Sequence, residues 1–281
     1  MTAKITMTTT NTSNPAWAAL RPAQVLRSTL WQREPRLAAF GLLMLALMVP
    51  ALLGLAFDER TLRDVNVWVK PLKFLAAVGL LAFTTAWFIG HLPAARRKAR
   101  AVSAIVWTLI ATGGFEVAYI VVQAALGQAS HYNVGDAFHS TMYTLMAVGA
   151  LTLTATQPAL AWQLWRHGDR SLPPAYRLSV LLGLVLTFVL GATVGMLLGG
   201  VQPPAGAHLP VVGWSMTGGD LRVAHFIGIH AGQVLPFVGA AIVALRLPAS
   251  RSLVLAASGA WTAAFLFTLV QALRGVPLIT A

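Results

Sequence analysis

No cysteine occurs anywhere in the chain, which removes disulfides, thiolate metal sites, iron–sulfur clusters and cysteine nucleophiles together. Charge is scarce too. Of 281 residues 10% are charged and 57% hydrophobic, against about 25% charged in a soluble domain, and mean hydropathy is +0.71. That composition excludes a water-soluble enzyme. Acidic residues are the scarcest class, with eight Asp and Glu against 20 Lys and Arg and a net charge of +12. A glycine-rich phosphate loop, a Gly-x-Ser-x-Gly elbow and a paired-carboxylate arrangement are all missing.

What is present is a series of long apolar runs. A bilayer core of about 30 Å needs roughly 20 apolar residues per helix at a rise of about 1.5 Å. Seven segments meet that length: Leu37 to Phe57, Leu72 to Gly90, Ala101 to Leu126, His139 to Trp165, Leu178 to Val201, Val223 to Leu245 and Ser252 to Leu273. The short connections leave no room for a second domain, so the expected fold is all-α, a polytopic transmembrane bundle of seven spans over residues 37–273. Residues 1–14 are Thr-rich and polar, which predicts a disordered tail. From Pro15 to Arg36, Trp17, Leu20, Val25, Leu26, Leu30 and Trp31 recur at near-helical spacing among arginines. This predicts either an amphipathic helix in the cytoplasmic interface or a basic flank to the first span.

The placement of the twenty cations orients the bundle. Fourteen fall on the side of the N-terminus, in the N-terminal segment and in loops such as Arg96-Arg-Lys98, while Arg60, Arg63, Lys70, Lys73, Arg222 and Arg274 fall on the other. By the positive-inside rule the N-terminus is cytoplasmic and the C-terminus periplasmic. The net charge is then mostly an orientation signal, and nucleic acid drops out as a partner. The lipid bilayer is the implied surroundings. N-inside topology, and a last span without a lysine for a Schiff base, both argue against a retinal photoreceptor.

The polar residues gather toward the outer side. Five of seven histidines, His131, His139, His208, His225 and His230, lie in that half. On a regular sixth helix starting at Arg222, His225 lies about 4 to 5 Å deep, His230 about 12 Å and Gln233 about 16 Å. The two histidines then differ by about 140° in azimuth, so they cannot close on one small ion. Glu116 is the one carboxylate inside a span, about 15 Å below the outer surface, with Gln123 on the same face. An intramembrane carboxylate is a functional candidate by default, or else a hydrogen-bonding partner for a neighbouring helix. Gly191, Gly195 and Gly199 form a small-residue stripe that predicts close helix packing.

Two functional readings follow. In the first, His139 and His225 at similar depths ligate a b-type haem or a metal ion, which without cysteine is limited to nitrogen, oxygen or thioether donors. His230 and Glu116 would then handle protons or a substrate such as a quinone or lipid. In the second, Arg222, Lys70 and Lys73 hold a small anionic or lipophilic ligand in a binder, transporter or sensor, with Gln123, Gln233, His131 and Asp220 as further contacts. Against this, Lys70 and Lys73 have the simpler options of pairing with Asp58, Glu59 or Asp64, or of snorkelling to headgroups. A structural role in a complex with other membrane subunits is a third option.

Three outer strings, Val65-Asn-Val-Trp-Val-Lys-Pro-Leu-Lys-Phe74, Ser130-His-Tyr-Asn133 and the stretch from Gly213 to Pro236 containing Thr217-Gly-Gly-Asp-Leu-Arg-Val-Ala-His225, resemble those of a family of uncharacterised bacterial seven-helix integral membrane proteins. The resemblance implies a bacterial membrane protein and adds little mechanism. Zinc-dependent seven-helix membrane hydrolases of the alkaline ceramidase and adiponectin-receptor type share the topology, but their paired histidines on the last helix have no counterpart between Ser252 and Leu273.

Overall fold

The computed structural model describes residues 29–202, 204–209 and 212–280. The tail expected over residues 1–14, and residues 15–28 of the expected interfacial segment, lie outside the described residues; residues 29–33 are helical. Glu34 then caps α1 (Pro35–Phe57), its carboxylate accepting the Arg36 amide, and the Arg36 side chain folds back on Glu34 and reaches Ser103 Oγ at 2.8 Å.

The remaining helices are α2 (Val69–Ile89), a single turn α3 (Ala94–Arg97), α4 (Arg100–Ala125), α5 (Ala137–His167), α6 (Pro174–Leu198), α7 (Leu221–Ile229), α8 (Ala231–Ala244) and α9 (Ser250–Leu273). Six of them are long and apolar enough to cross a membrane, or seven spans if α7 and α8 count as one. Helical ends sit within a few residues of those expected from hydropathy.

Two local features depart from that expectation. Residues 58–68 are not plain loop: Thr61–Leu62 (β1) and Val65–Asn66 (β2) form a small antiparallel hairpin. Its two turn residues, Arg63 and Asp64, both have positive φ, 52° and 64°, the geometry whose twist matches paired strands. The segment expected as the sixth span is not a regular helix either. It breaks at His230, where α7 and α8 meet at 50°. The azimuths derived for His225, His230 and Gln233 from one continuous helix are therefore corrected: the bend separates His225 from the other two.

Neighbouring helices explain the break. In an uninterrupted helix Gly232 N–H and Ile227 C=O would be bonded within the helix. Here Gly232 N–H donates to Thr187 Oγ1 of α6 at 2.7 Å, and Ile227 O accepts Trp261 Nε1 of α9 at 3.0 Å. A Cβ built on Gly228 would stand 2.9 Å from backbone atoms of Leu190 and Gly191, so α6 and α7 touch backbone to backbone. Of the glycine stripe, Gly191 packs on Ile229 and Gly195 on the His225 ring, whereas Gly199 meets only its own helix there.

The main core joins α1, α2, α4, α5 and α6 through residues such as Leu37, Leu75, Leu109, Leu160 and Leu184. Smaller clusters pack α6 against α7 and α9, and against α8. Outward faces stay apolar, with Leu53 of α1 55% exposed and Phe237 of α8 76% exposed, as a lipid-facing surface requires. At the arginine-rich end the exposed tryptophans Trp31, Trp107, Trp162 and Trp165 lie before α1 and on α4 and α5, and Arg33 stacks on Trp87 at 3.8 Å. Exposed tryptophans mark the headgroup level.

Candidate functional site

The end of the bundle opposite those tryptophans carries the longer connections, and the structure gathers several of the sequence candidates there. The hairpin uses up the nearest acid. Asp58 binds Arg60 at 2.6 Å and accepts Trp68 Nε1 at 2.9 Å, and these donors, Arg60 first, hold its carboxyl well below the usual carboxylate range. Lys70 and Lys73, on the first turns of α2, therefore do not pair with Asp58. Among the described residues neither makes a salt bridge to any carboxylate.

Lys70 turns inward instead. Its Nζ donates to Ser130 Oγ at 2.8 Å and to His131 Nδ1 at 3.0 Å in the loop between α4 and α5. An ammonium has three donors, so one N–H is left for another group. Phe74 and Tyr143 flank the His131 ring, with centroids 6.3 and 5.8 Å away. Burial, helped by the adjacent Lys70 charge, pushes the His131 imidazole down to about 3. Lys73 donates to Val212 O at 3.1 Å, tying α2 to the loop before α7. Lys73, Arg222 and Glu116 all lie within electrostatic reach of Lys70.

Below this layer the α4 face is polar without being satisfied. Glu116 is 2% exposed, Tyr119 7% and Gln123 2%, and Glu116 Oε1, the Tyr119 hydroxyl and Gln123 Oε1 each lack a hydrogen-bond partner among the described residues. The spacing of three and seven residues stacks them along one face. Glu116 lies against Gly149 of α5, where a Cβ would come 2.8 Å from Oε1. Tyr119 packs among Met146, Met142 and Phe74. Tyr119 was not among the sequence candidates, although its spacing from Glu116 was the available signal.

Arg222 and Asp220 form a local pair. Asp220 caps α7 through the Arg222 amide, binds the guanidinium at 2.6 Å and accepts the Ser215 amide at 2.8 Å. Burial raises the Asp220 carboxyl, but these donors outweigh it and hold it below the usual range. Tyr132, with φ of 58°, donates to Leu198 O, and Tyr143 donates to Gly199 O at 3.0 Å. The two tyrosines thus fasten the loop after α4 to the end of α6. Burial, then the neighbouring Tyr143, pushes Tyr132 up to about 12.

The histidines are dispersed rather than convergent. His139 Nδ1 sits 2.5 Å from Asp136 Oδ2 and its Nε2 3.1 Å from Gln128 Oε1, so both ring nitrogens are occupied. His225 lies against Gly195 with Nδ1 buried and unpartnered. No hydrogen bond or ring contact joins His139 to His225 among the described residues. His230 pairs with Gln233 Oε1 at 3.3 Å and stacks on Phe226 at 4.3 Å. Among the described residues no group of three or more His, Asp or Glu side chains is placed to hold a metal ion. The two proposed haem ligands thus do not present free nitrogens to one shared group. The chain matches no protein-family model, no curated protein and no solved structure.

Proposed function

We propose that the protein is a multi-pass inner-membrane protein of bacterial type, oriented with the arginine-rich end in the cytoplasm, whose opposite end binds the anionic group of a small lipophilic ligand. The observation that carries this reading is that Lys70 and Lys73 form no salt bridge to a carboxylate among the described residues, and that Arg222 lies within electrostatic reach of both at the same end of the bundle. Unneutralised cations are costly in a low-dielectric setting unless an anion joins them. Phe74, Tyr143 and Met142 supply apolar and aromatic surface beside them, which suits an amphiphile better than a hydrated ion. His131 and Ser130 hold Lys70 in place. Arg222 and Asp220 shape the rim, while Glu116, Gln123 and, farther off, Gln233 offer acceptors for a deeper polar group.

The alternative, a haem or metal redox centre on His139 and His225 with His230 and Glu116 moving protons, draws less support from the geometry, because His139 is already engaged at both nitrogens. Thermal stability of the purified protein in detergent separates the two. Decanoate, a single-chain carboxylate, is expected to raise the melting temperature by about 2 to 4 °C at saturating concentration. Lys70→Gln is expected to abolish the shift, and chelator to leave it unchanged. A Soret band in the purified protein that vanishes in both His139→Ala and His225→Ala would overturn the proposal in favour of the redox reading.

A further inference from the structure

At the arginine-rich end, a cavity of about 530 Å3 opens between the start of α6, the end of α8 and the start of α9. Its floor is apolar: Ala175 and Ile242 belong to a small buried cluster, and Val243 and Leu247 line the walls. Its charged groups are Arg246 and Arg251, with no carboxylate in the lining. Neither arginine side chain has an ion-pair or hydrogen-bond partner among the described residues. Two guanidiniums facing one concavity without a counter-charge are complementary to an anion. The starts of α6 and α9, where Pro173 and Ala249 offer no side-chain cap to the free amides, add to the same polarity, and the carboxyl end of α8 offsets part of it. This is also the end that carries the exposed tryptophans, so the cavity lies at headgroup level with apolar walls leading to the lipid-facing surface.

We propose that this cavity is a binding site for an anionic phospholipid, its headgroup phosphate held by Arg246 and Arg251 and its acyl chains lying along Val243 and Leu247. A freely diffusing anion would have no use for those walls, and a zwitterionic lipid would bring its own cation to the arginines. The site is distinct from the Lys70 mouth at the other end of the bundle and stands whether or not that mouth binds a ligand.

Delipidated full-length protein in mild detergent, titrated with dioleoylphosphatidylglycerol or dioleoylphosphatidylcholine under native mass spectrometry, tests the proposal. The wild type is expected to retain phosphatidylglycerol in preference to phosphatidylcholine. The paired substitution Arg246→Gln with Arg251→Gln should lower phosphatidylglycerol affinity about 30-fold while leaving phosphatidylcholine unchanged. The pair Lys70→Gln with Lys73→Gln should keep the wild-type preference, which separates this site from the proposed ligand mouth. Equal retention of the two lipids by the wild type overturns the proposal. So does undiminished phosphatidylglycerol binding in the arginine pair, or full displacement of the lipid by millimolar inorganic phosphate. The wild-type lipid comparison and the Lys70 pair leave the cavity unaltered, so they decide the matter even if the arginine pair fails to fold.

Discussion

Lys70 Nζ stands 3.0 Å from His131 Nδ1, a contact that requires a neutral imidazole with its proton on Nε2. The histidine accepts, and the lysine keeps a free N–H.

This pairing predicts an acid sensitivity of definite sign. His131 is pushed down to about 3 in the folded protein, against about 6.5 in an unfolded chain. Below about pH 6.5 the unfolded chain takes up a proton here that the folded protein refuses, so stability falls as pH drops toward 3, and it is unaffected by this group above pH 7. The slope from one such site is at most about 1.4 kcal/mol per pH unit. Melting temperatures in detergent between pH 7.5 and 4.5 should show the decline, and His131→Gln should make it shallower. His91, buried beside Arg33 and pushed down to about 4, should preserve part of it.

The break at His230 is predicted to depend on its two outside partners. Thr187→Ala leaves the Gly232 amide unsatisfied in a buried place and should cost about 1 to 3 kcal/mol. Thr187→Ser keeps the hydroxyl and should behave nearly as wild type, as read by denaturation in mixed micelles. An equal loss in both substitutions would mean that the methyl group's packing matters and not the hydrogen bond.

Two glycines give opposite predictions. Gly228→Ala drives a methyl group against the α6 backbone, with contacts of 2.9 Å, and should destabilise by about 1 to 3 kcal/mol. Gly259, inside α9, has nothing within 4 Å of a new Cβ. Gly259→Ala should be neutral or stabilising by up to about 1 kcal/mol, since alanine is the better helix former. Side-by-side melting curves would check the contrast.

The absence of cysteine makes orientation simple to measure. A thiol placed by Val134→Cys, in the loop after α4 where Val134 is 63% exposed, should react with a membrane-impermeant maleimide in intact spheroplasts. One placed by Lys98→Cys should react only after the membrane is permeabilised. The reverse pattern would invert the proposed topology and with it the assignment of the two ends.

Hydropathy alone located the spans, because lipid solvation imposes one demand along the whole length of each helix. It could not locate the interruption between α7 and α8, because His225, His230 and Gln233 read as polar positions of one helix and the cause lies in Thr187 and Trp261 on other helices. The hairpin at Thr61–Asn66 escaped for a similar reason: its turn uses Arg63 and Asp64 at positive φ, where glycine or asparagine is the usual signal. The site candidates Lys70 and His131 were visible as polar residues at one end, and Ser130 was not among the candidates. The contact between Lys70 and Ser130 was hidden, since it joins positions 60 residues apart. His139 and His225 looked alike in depth along the chain, yet depth says nothing of what fills the space between two helices.

The elbow between α7 and α8 has one further consequence. A bare helix answers a thicker or thinner bilayer by changing its tilt or curvature. Here the angle is set by a hydroxyl from one neighbour and an indole from another, each occupying a backbone group that the interruption exposes. The bend thus belongs to the protein's own packing, and α7 and α8 hold their relative aim through contacts inside the bundle.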